Sequence, residues 1–378
     1  MTQLKQIEFG EFRLTDKTRQ NVLDCLESGW LTMGSRVREF EEKWKKLFNY
    51  PYARCLSSGT TADTSCLMSL YELVNAKPGD EVLCPALSFI ATANSIRAAG
   101  FVPVMIDVKK ETLNIDEDLI EAKITEKTRC IMAVNLMGRP CELDKIADIA
   151  KRHNLILIID NCEGYSSKFK GGYALDYGDM ETSSHFLAHL IFAVEMGVVS
   201  SKHGDIDRLI EGIRSHGRMG GKHYFDHQIW GLNFKPSDLH ASVGLEELDN
   251  FWENVNKRKD ILNQLLEGSI YYKDYAWFVE SDKDHENAPH GFSITLKKPG
   301  QLHHLTRMLD ENNIANKRNF GSMASQHRTF KYLNQGIGSF PNAEYIGNNG
   351  LHIGVGKYLE EDDIKRILRV IGEFFRKY

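Results

Sequence analysis

A run of small hydroxyl residues and glycine occupies residues 57–61, with the sequence Ser-Ser-Gly-Thr-Thr. It follows a short stretch that predicts a β-strand, and it opens a stretch with helical spacing. The first turn of a helix offers unpaired backbone N–H groups and the positive end of the dipole, so Ser58, Gly59 and Thr60 could bind a phosphate. The alternative is an ordinary helix cap, because serine and threonine are preferred at that position in any helix.

Two further candidate cofactor-binding residues lie where predicted strands end. Phe89 follows a strand at residues 81–84, and a flat ring there could stack on an aromatic cofactor. Asp160 ends the apolar run 155–159, where a carboxylate could keep a pyridine nitrogen protonated. Each has a structural alternative, since Phe89 could be a core side chain and Asp160 could cap a helix or turn.

The segment 182–199 has the pattern of a strand, a short turn and a second strand, and its turn contains His185 and His189. An imidazole has an unperturbed pKa of about 6.5, which suits proton transfer near neutral pH. No lysine lies between Lys170 and Lys202, so no amine in this turn can bond to an aldehyde.

Histidines four residues apart can bind a metal when they lie on a helix. His185 and His189 have that spacing, as do His223 and His227. The first pair lies in a predicted strand and turn, and neither pair has an obvious third ligand. The sequence therefore predicts no metal site.

The elements that must position these residues predict an α/β fold. Short β-branched runs alternate with helical stretches from residue 53 to 201, which favours a mostly parallel central sheet. The predicted strands are 54–56, 81–84, 102–107, 130–135, 155–160, 182–184 and 197–201, with helices starting near Gly59 and Phe89 and around Glu117. Later patterns predict helices at 204–216, 237–266, 300–312 and 360–378 and a strand at 292–296. We expect a large domain over residues 1–240 and a smaller α+β domain over 241–378.

Together these pieces resemble the superfamily of sugar aminotransferases that includes DegT and StrS, whose members share the type I fold of enzymes dependent on pyridoxal 5′-phosphate (PLP). The likeness runs from about residue 30 to the C-terminus and includes residues 160–163, 213–217, 231–236, 342–345 and 349–351. In that family a serine of the turn binds the cofactor phosphate, and a lysine later in the turn bonds to PLP. The matching positions here are Ser184 and His189, so the resemblance implies a cofactor held without a covalent bond.

The resemblance also implies a role for each candidate residue. Phosphate would be contacted by Ser58, Gly59, Thr60 and Ser184, and the ring would be contacted by Phe89, by Asp160 at its nitrogen and by Glu163 near its 3-hydroxyl. His189 would be the catalytic base, and His216 a second active-site histidine. Asn233 would reach the phosphate from the neighbouring subunit, because the family builds each site across a homodimer interface.

Histidine at the lysine position resembles one branch of the family, the 3-dehydratases that act on 4-keto-6-deoxy sugars. The resemblance implies that L-glutamate converts PLP to pyridoxamine 5′-phosphate (PMP). The enzyme then removes the C3 hydroxyl of a nucleotide-linked 4-keto-6-deoxyhexose and gives a 4-keto-3,6-dideoxy sugar for O-antigen biosynthesis. GDP-4-keto-6-deoxymannose is the expected substrate, although the sequence has no motif that selects GDP over CDP or dTDP.

Three positions depart from the family pattern. Met196 stands where a glycine is usual, which predicts a local backbone adjustment, and His185 stands where an aromatic residue is usual. Residues 317–320, Lys-Arg-Asn-Phe, only loosely resemble the usual Arg-Pro substrate segment.

Two other functions are compatible with the sequence. The chain could be an aminotransferase that uses another lysine, with Lys168, Lys170 and Lys202 as candidates. It could also be a protein that binds the cofactor without catalysis, although the presence of Asp160 and Ser184 argues against that.

The composition is that of an ordinary folded protein, with 42% hydrophobic and 26% charged residues among 378. A formal net charge of -5 disfavours nucleic acid as the main partner. Seven scattered cysteines without a CxxC pair indicate free thiols in a reducing compartment. With no signal-peptide pattern and no apolar run of about 18 residues, we expect a soluble cytoplasmic protein without membrane contact.

Overall fold

The predicted alternation of strands and helices forms a central sheet in the computed structural model, which describes residues 5–220 and 225–378. All counts below refer to those residues. The strands in chain order are β1 Tyr52–Leu56, β2 Glu81–Pro85, β3 Val102–Ile106, β4 Thr128–Val134, β5 Ile156–Asp160, β6 Lys168–Phe169, β7 Met180–Ser184, β8 Gly197–Ser201, β9 Ala276–Phe278, β10 His285–Glu286, β11 Gly291–Leu296, β12 Asn316–Arg318 and β13 Gly350–Gly354.

The helices surround these strands. They are α1 Asp16–Glu27, α2 Ser35–Phe48, α3 Gly59–Leu73, α4 Ala91–Ala98, α5 Leu143–Arg152, α6 Ala174–Tyr177, α7 Gly204–Ile213, α8 Asp238–Asp249, α9 Phe251–Gly268, α10 Leu302–Glu311, α11 Met323–Gln326, α12 Pro341–Asn349 and α13 Glu361–Lys377. Pro341 lies at the start of α12, where its missing N–H costs no helical hydrogen bond.

The seven-stranded central sheet has the order β1-β8-β7-β5-β4-β2-β3. Neighbours from β7 to β3 run parallel, whereas β8 is antiparallel to both β7 and β1. The strands β4 and β5 are almost completely buried, as their continuous apolar runs require when helices cover both faces. The expected α/β fold with a mostly parallel sheet is confirmed.

A second sheet of four antiparallel strands, in the order β12-β13-β11-β9, is built from the C-terminal third of the chain. The start of the chain joins it, because the Ile7 N–H donates to Asn313 O and the Ala315 N–H donates to Ile7 O. The pair β6 and β10 links residues of the two halves of the chain.

Several elements differ from the sequence prediction. The predicted helix 237–266 is two helices, because Asn250 leaves helical geometry and ends α8 with a hydrogen bond to Glu246 O. Around Glu117 the chain forms short 3₁₀ turns rather than an α-helix. The connection between β7 and β8 is not short but spans residues 185–196, and helices α1 and α2 had no counterpart in the prediction.

A buried ionic network fixes α7 against α2 and β1. The Arg214 guanidinium donates to Glu41 Oε1 at 2.6 Å and to Cys55 O at 2.7 Å. The nearby Arg54 donates to both carboxylate oxygens of Asp207 at 2.7 and 2.6 Å. Arg214 and Glu41 are both buried, so each charge depends on the other for its compensation.

Over the described ranges, no helix is both long enough and apolar enough to cross a membrane. All seven cysteines have free thiols, as the sequence predicted.

Candidate active site

One large cavity of about 390 Å³ opens where the carboxyl ends of β5 and β7 meet the start of α3 and the edge of the second sheet. Its lining includes eight of the ten residues singled out from the sequence, which are Ser58, Gly59, Thr60, Phe89, Asp160, Glu163, Ser184 and His189. Parallel strands end at the same sheet edge, which is why residues from such distant segments meet there.

The start of α3 provides an anion site. Ser58 is the helix cap, with its hydroxyl accepting from the Thr61 N–H at 3.2 Å, so the capping interpretation is right. The backbone N–H groups of Gly59 and Thr60 nevertheless have no partner in the described parts of the chain, and both residues line the cavity. Helix N-termini of this kind bind phosphate, so capping and phosphate binding are compatible here.

The helix start lies so close to β7 that residue 59 must be glycine. A Cβ atom at Gly59 would lie 2.7 Å from Ser184 Cβ and 3.2 Å from Cys162 Sγ. The absence of a side chain therefore lets Ser184 and the α3 N–H groups face the same point.

Asp160 lies at the bottom of the cavity, 6% exposed. Its carboxylate accepts from Thr92 Oγ1 at 2.9 Å and from the Cys162 N–H at 3.3 Å. The ligand atoms of Asp63, Asp160 and Cys162 all lie within 4.8 Å of one another. Burial raises the pKa of Asp160, and it raises the pKa of Asp63 well above its usual value, with the Asp160 charge adding to it. A protonated ring nitrogen would supply the positive charge that a buried Asp160 carboxylate lacks.

Glu163 occupies the cavity wall next to Asp160. Its Oε2 accepts from the Met137 N–H at 2.7 Å, and its Oε1 lies 3.4 Å from His290 Nε2. Burial raises the pKa of Glu163 to about 8, with the Asp160 charge acting in the same direction. The carboxyl group therefore carries a proton at neutral pH.

Phe89 is 58% exposed, so it is not a core side chain. It lines the cavity and contacts Phe320 edge-on, with the ring centroids 6.1 Å apart. An exposed ring at a cavity mouth is suited to stacking on a flat ligand.

His189 lies in the connection 185–196, and its ring lines the cavity. Burial lowers the pKa of His189 to about 4, and Arg258 acts in the same direction, so the imidazole is neutral at physiological pH. Its Nδ1 is buried without a hydrogen-bond partner within the described ranges. A neutral imidazole with an unengaged nitrogen can accept a proton from a ligand.

The guanidinium of Arg258, on α9, fixes the backbone around His189. It donates to the carbonyls of His189 at 2.8 Å and Ala188 at 3.4 Å. It also donates to the carbonyls of Pro289 at 3.1 Å and His290 at 3.2 Å. One buried side chain therefore connects the His189 turn to the start of β11.

The cavity also contains groups that the sequence interpretation did not assign. His290, His352 and Lys317 line the wall formed by the second sheet. His352 is buried, and its Nδ1 bonds to Asn319 Oδ1 at 2.9 Å. His290 lies two residues before the predicted strand 292–296, and His352 lies inside an apolar run. These features were the signals in the sequence that could have pointed to the two residues.

Two predicted residues do not line this cavity. His216 is exposed, with a positive φ of 62°, and its carbonyl accepts from His227 Nδ1 at 2.7 Å. Asn233 is exposed and accepts from Lys235 Nζ at 2.6 Å. The assignments of His216 as a second active-site histidine, and of Asn233 to the phosphate of the neighbouring subunit, stay predictions. His223 lies outside the described residues.

The lysines considered as alternatives also lie away from the cavity lining. Lys168 is over the Tyr173 ring at 5.1 Å, Lys170 pairs with Asp144, and Lys202 donates to Asp176 O at 2.8 Å. Among the described residues, Lys317 is the lysine that lines the cavity, with its Nζ 4.1 Å from the centroid of the Phe9 ring.

The two departures in the turn are accommodated by the core. Met196 is 1% exposed and packs in the same cluster as Phe40 and Trp44. His185 is also buried, against the rings of Phe40, Trp44 and Tyr165 at 5.2 to 5.6 Å. The position that has no room for a side chain is the residue after Met196, Gly197, where a Cβ atom would lie 2.4 Å from Ser58 O.

Known proteins share the sequence pattern and the fold over most of the chain. The model of the DegT/DnrJ/EryC1/StrS aminotransferase family matches residues 13–372. The chain is 29% identical over 377 residues to GDP-perosamine synthase of Escherichia coli O157:H7, covering 98% of this chain and 99% of that protein. It is 28% identical over 381 residues to GDP-4-keto-6-deoxy-D-mannose 3-dehydratase of Yersinia pseudotuberculosis, covering 94% and 95%.

A solved structure of the Escherichia coli GDP-4-keto-6-deoxy-D-mannose 3-dehydratase with bound hydrated PLP is 26% identical and superposes with a TM-score of 0.87, covering 97% of this chain and 99% of that one. The PLP in that structure supports the predicted PLP or PMP cofactor. The identities to the synthase and to the dehydratase are too similar to choose between their activities. The chain belongs to the DegT/DnrJ/EryC1/StrS aminotransferase family.

Proposed function

We propose that the protein is a PLP- and PMP-dependent 3-dehydratase of a nucleotide-linked 4-keto-6-deoxyhexose, with L-glutamate as the amine donor. The observation that carries the proposal is a neutral histidine, His189, that lines the cavity. By the resemblance, this residue matches the position of the family lysine. GDP-4-keto-6-deoxymannose is the proposed substrate, and a 4-keto-3,6-dideoxy sugar and ammonia are the proposed products.

The donor groups of the cavity fit this cofactor. The α3 N–H groups with Ser58, Thr60 and Ser184 would hold its phosphate, and Phe89 would stack on its ring. Asp160 would keep the ring nitrogen protonated. When bound, PMP supplies an amine that can join the C4 ketone of the sugar and a ring that can store electrons.

His189 is the proposed base. Its ring is neutral, so it can remove a proton from the cofactor's C4′ carbon and hold it. An imidazole cannot bond to the sugar or the cofactor as a primary amine does. Release of the amino group as ammonia, rather than its retention on the sugar, is the expected outcome.

An aminotransferase is the second candidate, and Lys317 is the observation that favours it, because this lysine lines the cavity. Borohydride reduction of the PLP-loaded protein followed by peptide mass spectrometry tests this directly. A reduced cofactor on Lys317 would support the aminotransferase, whereas an unmodified chain supports a cofactor held without a covalent bond.

The main experiment incubates the protein with PLP, L-glutamate and a panel of GDP-, CDP- and dTDP-4-keto-6-deoxyhexoses. We expect release of ammonia and loss of the 3-hydroxyl with one of them. An amino sugar as the product would contradict the proposal.

A further inference from the structure

We propose that Glu163 and His290 form the second acid–base pair of this site, in which Glu163 protonates the C3 hydroxyl as it leaves the sugar and His290 positions and reloads that acid. The inference rests on the proposed dehydration. It assigns the second active-site histidine to His290, on the same chain as His189.

The geometry gives the two oxygens of Glu163 different surroundings. Oε2 is engaged by the Met137 N–H at 2.7 Å, whereas Oε1 faces His290 Nε2 at 3.4 Å, slightly beyond ordinary hydrogen-bond distance. The Oε1 oxygen is therefore the one that carries a transferable proton. His290 Nδ1 is buried and has no partner in the part of the chain that the structure describes.

The charges around the pair keep the proton on the carboxyl group. Burial lowers the pKa of His290 well below its usual value, and His189, Arg258, His352 and Lys317 act in the same direction. On the other side, burial and the Asp160 charge raise the pKa of Glu163. A neutral carboxylic acid beside a neutral imidazole is the resulting state.

The proposed step balances its protons. His189 takes one proton from the cofactor's C4′ carbon, the Oε1–H bond of Glu163 breaks, and the C3–O bond breaks as water forms. The site then contains a Glu163 carboxylate and a protonated His189. His290 can return the proton, since its ring centroid lies 5.3 Å from that of His189 and its Nε2 lies 3.4 Å from Glu163.

The backbone supports this relay. The Arg258 guanidinium binds the carbonyls of both His189 and His290. The backbone at the two histidines is thereby bound to the same buried group, although they are about a hundred residues apart in the chain.

The test compares Glu163→Gln and His290→Gln with a matched control, His285→Gln. His285 is another buried histidine beside a carboxylate, since its Nδ1 bonds to Asp282 Oδ1 at 2.8 Å, but it does not line the cavity. Dehydration by the PMP-loaded protein is measured in single turnovers with GDP-4-keto-6-deoxymannose, and the conversion of bound PLP by L-glutamate is measured separately from its absorbance. We expect the first two variants to lose about a hundredfold in the rate of dehydration. This loss should be at least tenfold larger than their loss in the rate of the glutamate reaction.

The pH profile distinguishes a proton donor from a structural residue. Wild-type dehydration should fall at alkaline pH as Glu163 loses its proton, and this limb should disappear in the Glu163 variant and persist in the His285 variant. A second readout needs no substrate. Because its pKa is raised to about 8, Glu163 contributes stability that is present at acidic pH and is lost as the pH rises toward 8. Thermal unfolding should show that this loss is absent in Glu163→Gln.

The outcomes separate the two proposals. A wild-type protein that releases no ammonia from any sugar of the panel would refute the proposed function. A wild-type protein that dehydrates the sugar, with both variants keeping its rate and its alkaline limb, would refute the pair and leave His189 as acid and base.

Discussion

Under the proposed function, a single imidazole in place of the family's amine would change which chemistry the cavity can support. A lysine at residue 189 would bring a primary amine to the cofactor aldehyde. It would return a proton to the sugar, and the amino nitrogen would stay on the sugar. His189 can accept and hold a proton but cannot form that bond. Arg258 fixes the backbone of the turn, and Nδ1 of the imidazole has no hydrogen-bond partner among the described residues.

His189→Lys should therefore convert the protein from non-covalent to covalent cofactor binding and reduce dehydration at least a hundredfold. Borohydride trapping and mass spectrometry would detect the cofactor on residue 189, and ammonia release would measure the lost activity. His189→Asn is the control, since it removes the base without adding an amine. Unchanged dehydration by the lysine variant would rule out His189 as the base.

His185 has the opposite character, because it is a structural histidine that solvent does not reach. It lies among Phe40, Trp44 and Tyr165, with Nδ1 unpaired within the described ranges, and burial lowers its pKa to about 3. Below its unfolded pKa of about 6.5 the unfolded chain gains a proton that the folded chain refuses, so stability falls as the pH falls.

His185→Phe should remove this dependence. The stability advantage of the variant should grow by about 2 kcal/mol between pH 7 and pH 5 in urea unfolding. The same substitution at the exposed His327 is the control and should show no such growth. A constant difference between variant and wild type across that range would mean that His185 is protonated in the folded protein.

Six of the eight cavity residues predicted from the sequence lie at or near a strand end or a helix start of the central sheet, and Glu163 and His189 lie in the connections that follow β5 and β7. The carboxyl ends of parallel strands converge, so the local pattern and the resemblance together could identify this set. His290 precedes β11 and His352 lies in β13, far along the chain, and no local pattern shows which end of the second sheet faces the first. The sequence predicts Glu163 as a site residue, but it does not predict that His290 lies beside it.

At the scale of elements, the ionic network around α7 holds the framework together. Arg214 is 2% exposed and compensates Glu41, which is 4% exposed. Arg214→Met should cost about 3–5 kcal/mol of unfolding free energy, because it leaves a buried carboxylate without its main partner. The change should be visible as a lower midpoint in urea.

Arg208→Met is the matched control for that prediction. Arg208 lies on the same helix but is exposed, so its loss should change the unfolding free energy by no more than about 0.5 kcal/mol. Equal effects of the two substitutions would mean that the buried network does not stabilise the protein.

The boundaries of helices and strands can be predicted where the apolar pattern is strong. They are missed where a single residue ends the element. All seven strands of the central sheet were predicted, from short β-branched runs and from the strand–turn–strand pattern of residues 182–199. The break at Asn250 was not, since the apolar spacing continues across it while the asparagine backbone leaves the helix. The ionic contacts of α2 likewise depend on the folded structure, because Glu41 meets Arg214 far along the chain.

At the scale of the whole molecule, an exposed apolar surface adjoins the residues predicted to reach a second subunit. Phe225 is 81%, Trp230 49% and Leu232 41% exposed, and Asn233 follows them directly. Exposed aromatic surface of this kind is typical of a contact between proteins. The homodimer with a shared site therefore stays the working prediction.

Subunit mixing tests the shared site. His189→Asn and Asn233→Asp chains should each be inactive, and a mixture reassembled from both should recover up to about a quarter of wild-type dehydration, because half of the dimers contain one site with both residues intact. The proportion of dimer is checked by light scattering. A mixture that stays inactive would place both residues in the same site of one chain, or Asn233 in none.

The contact of Ile7 with Ala315 and the position of Phe9 in the cavity wall have a consequence for how the enzyme is made. A ribosome synthesises Ile7 early, yet its partner Ala315 follows only after more than three hundred further residues. His352 completes the same wall later still. A nascent chain arrested before residue 350 would therefore have a phosphate cradle without a closed chamber.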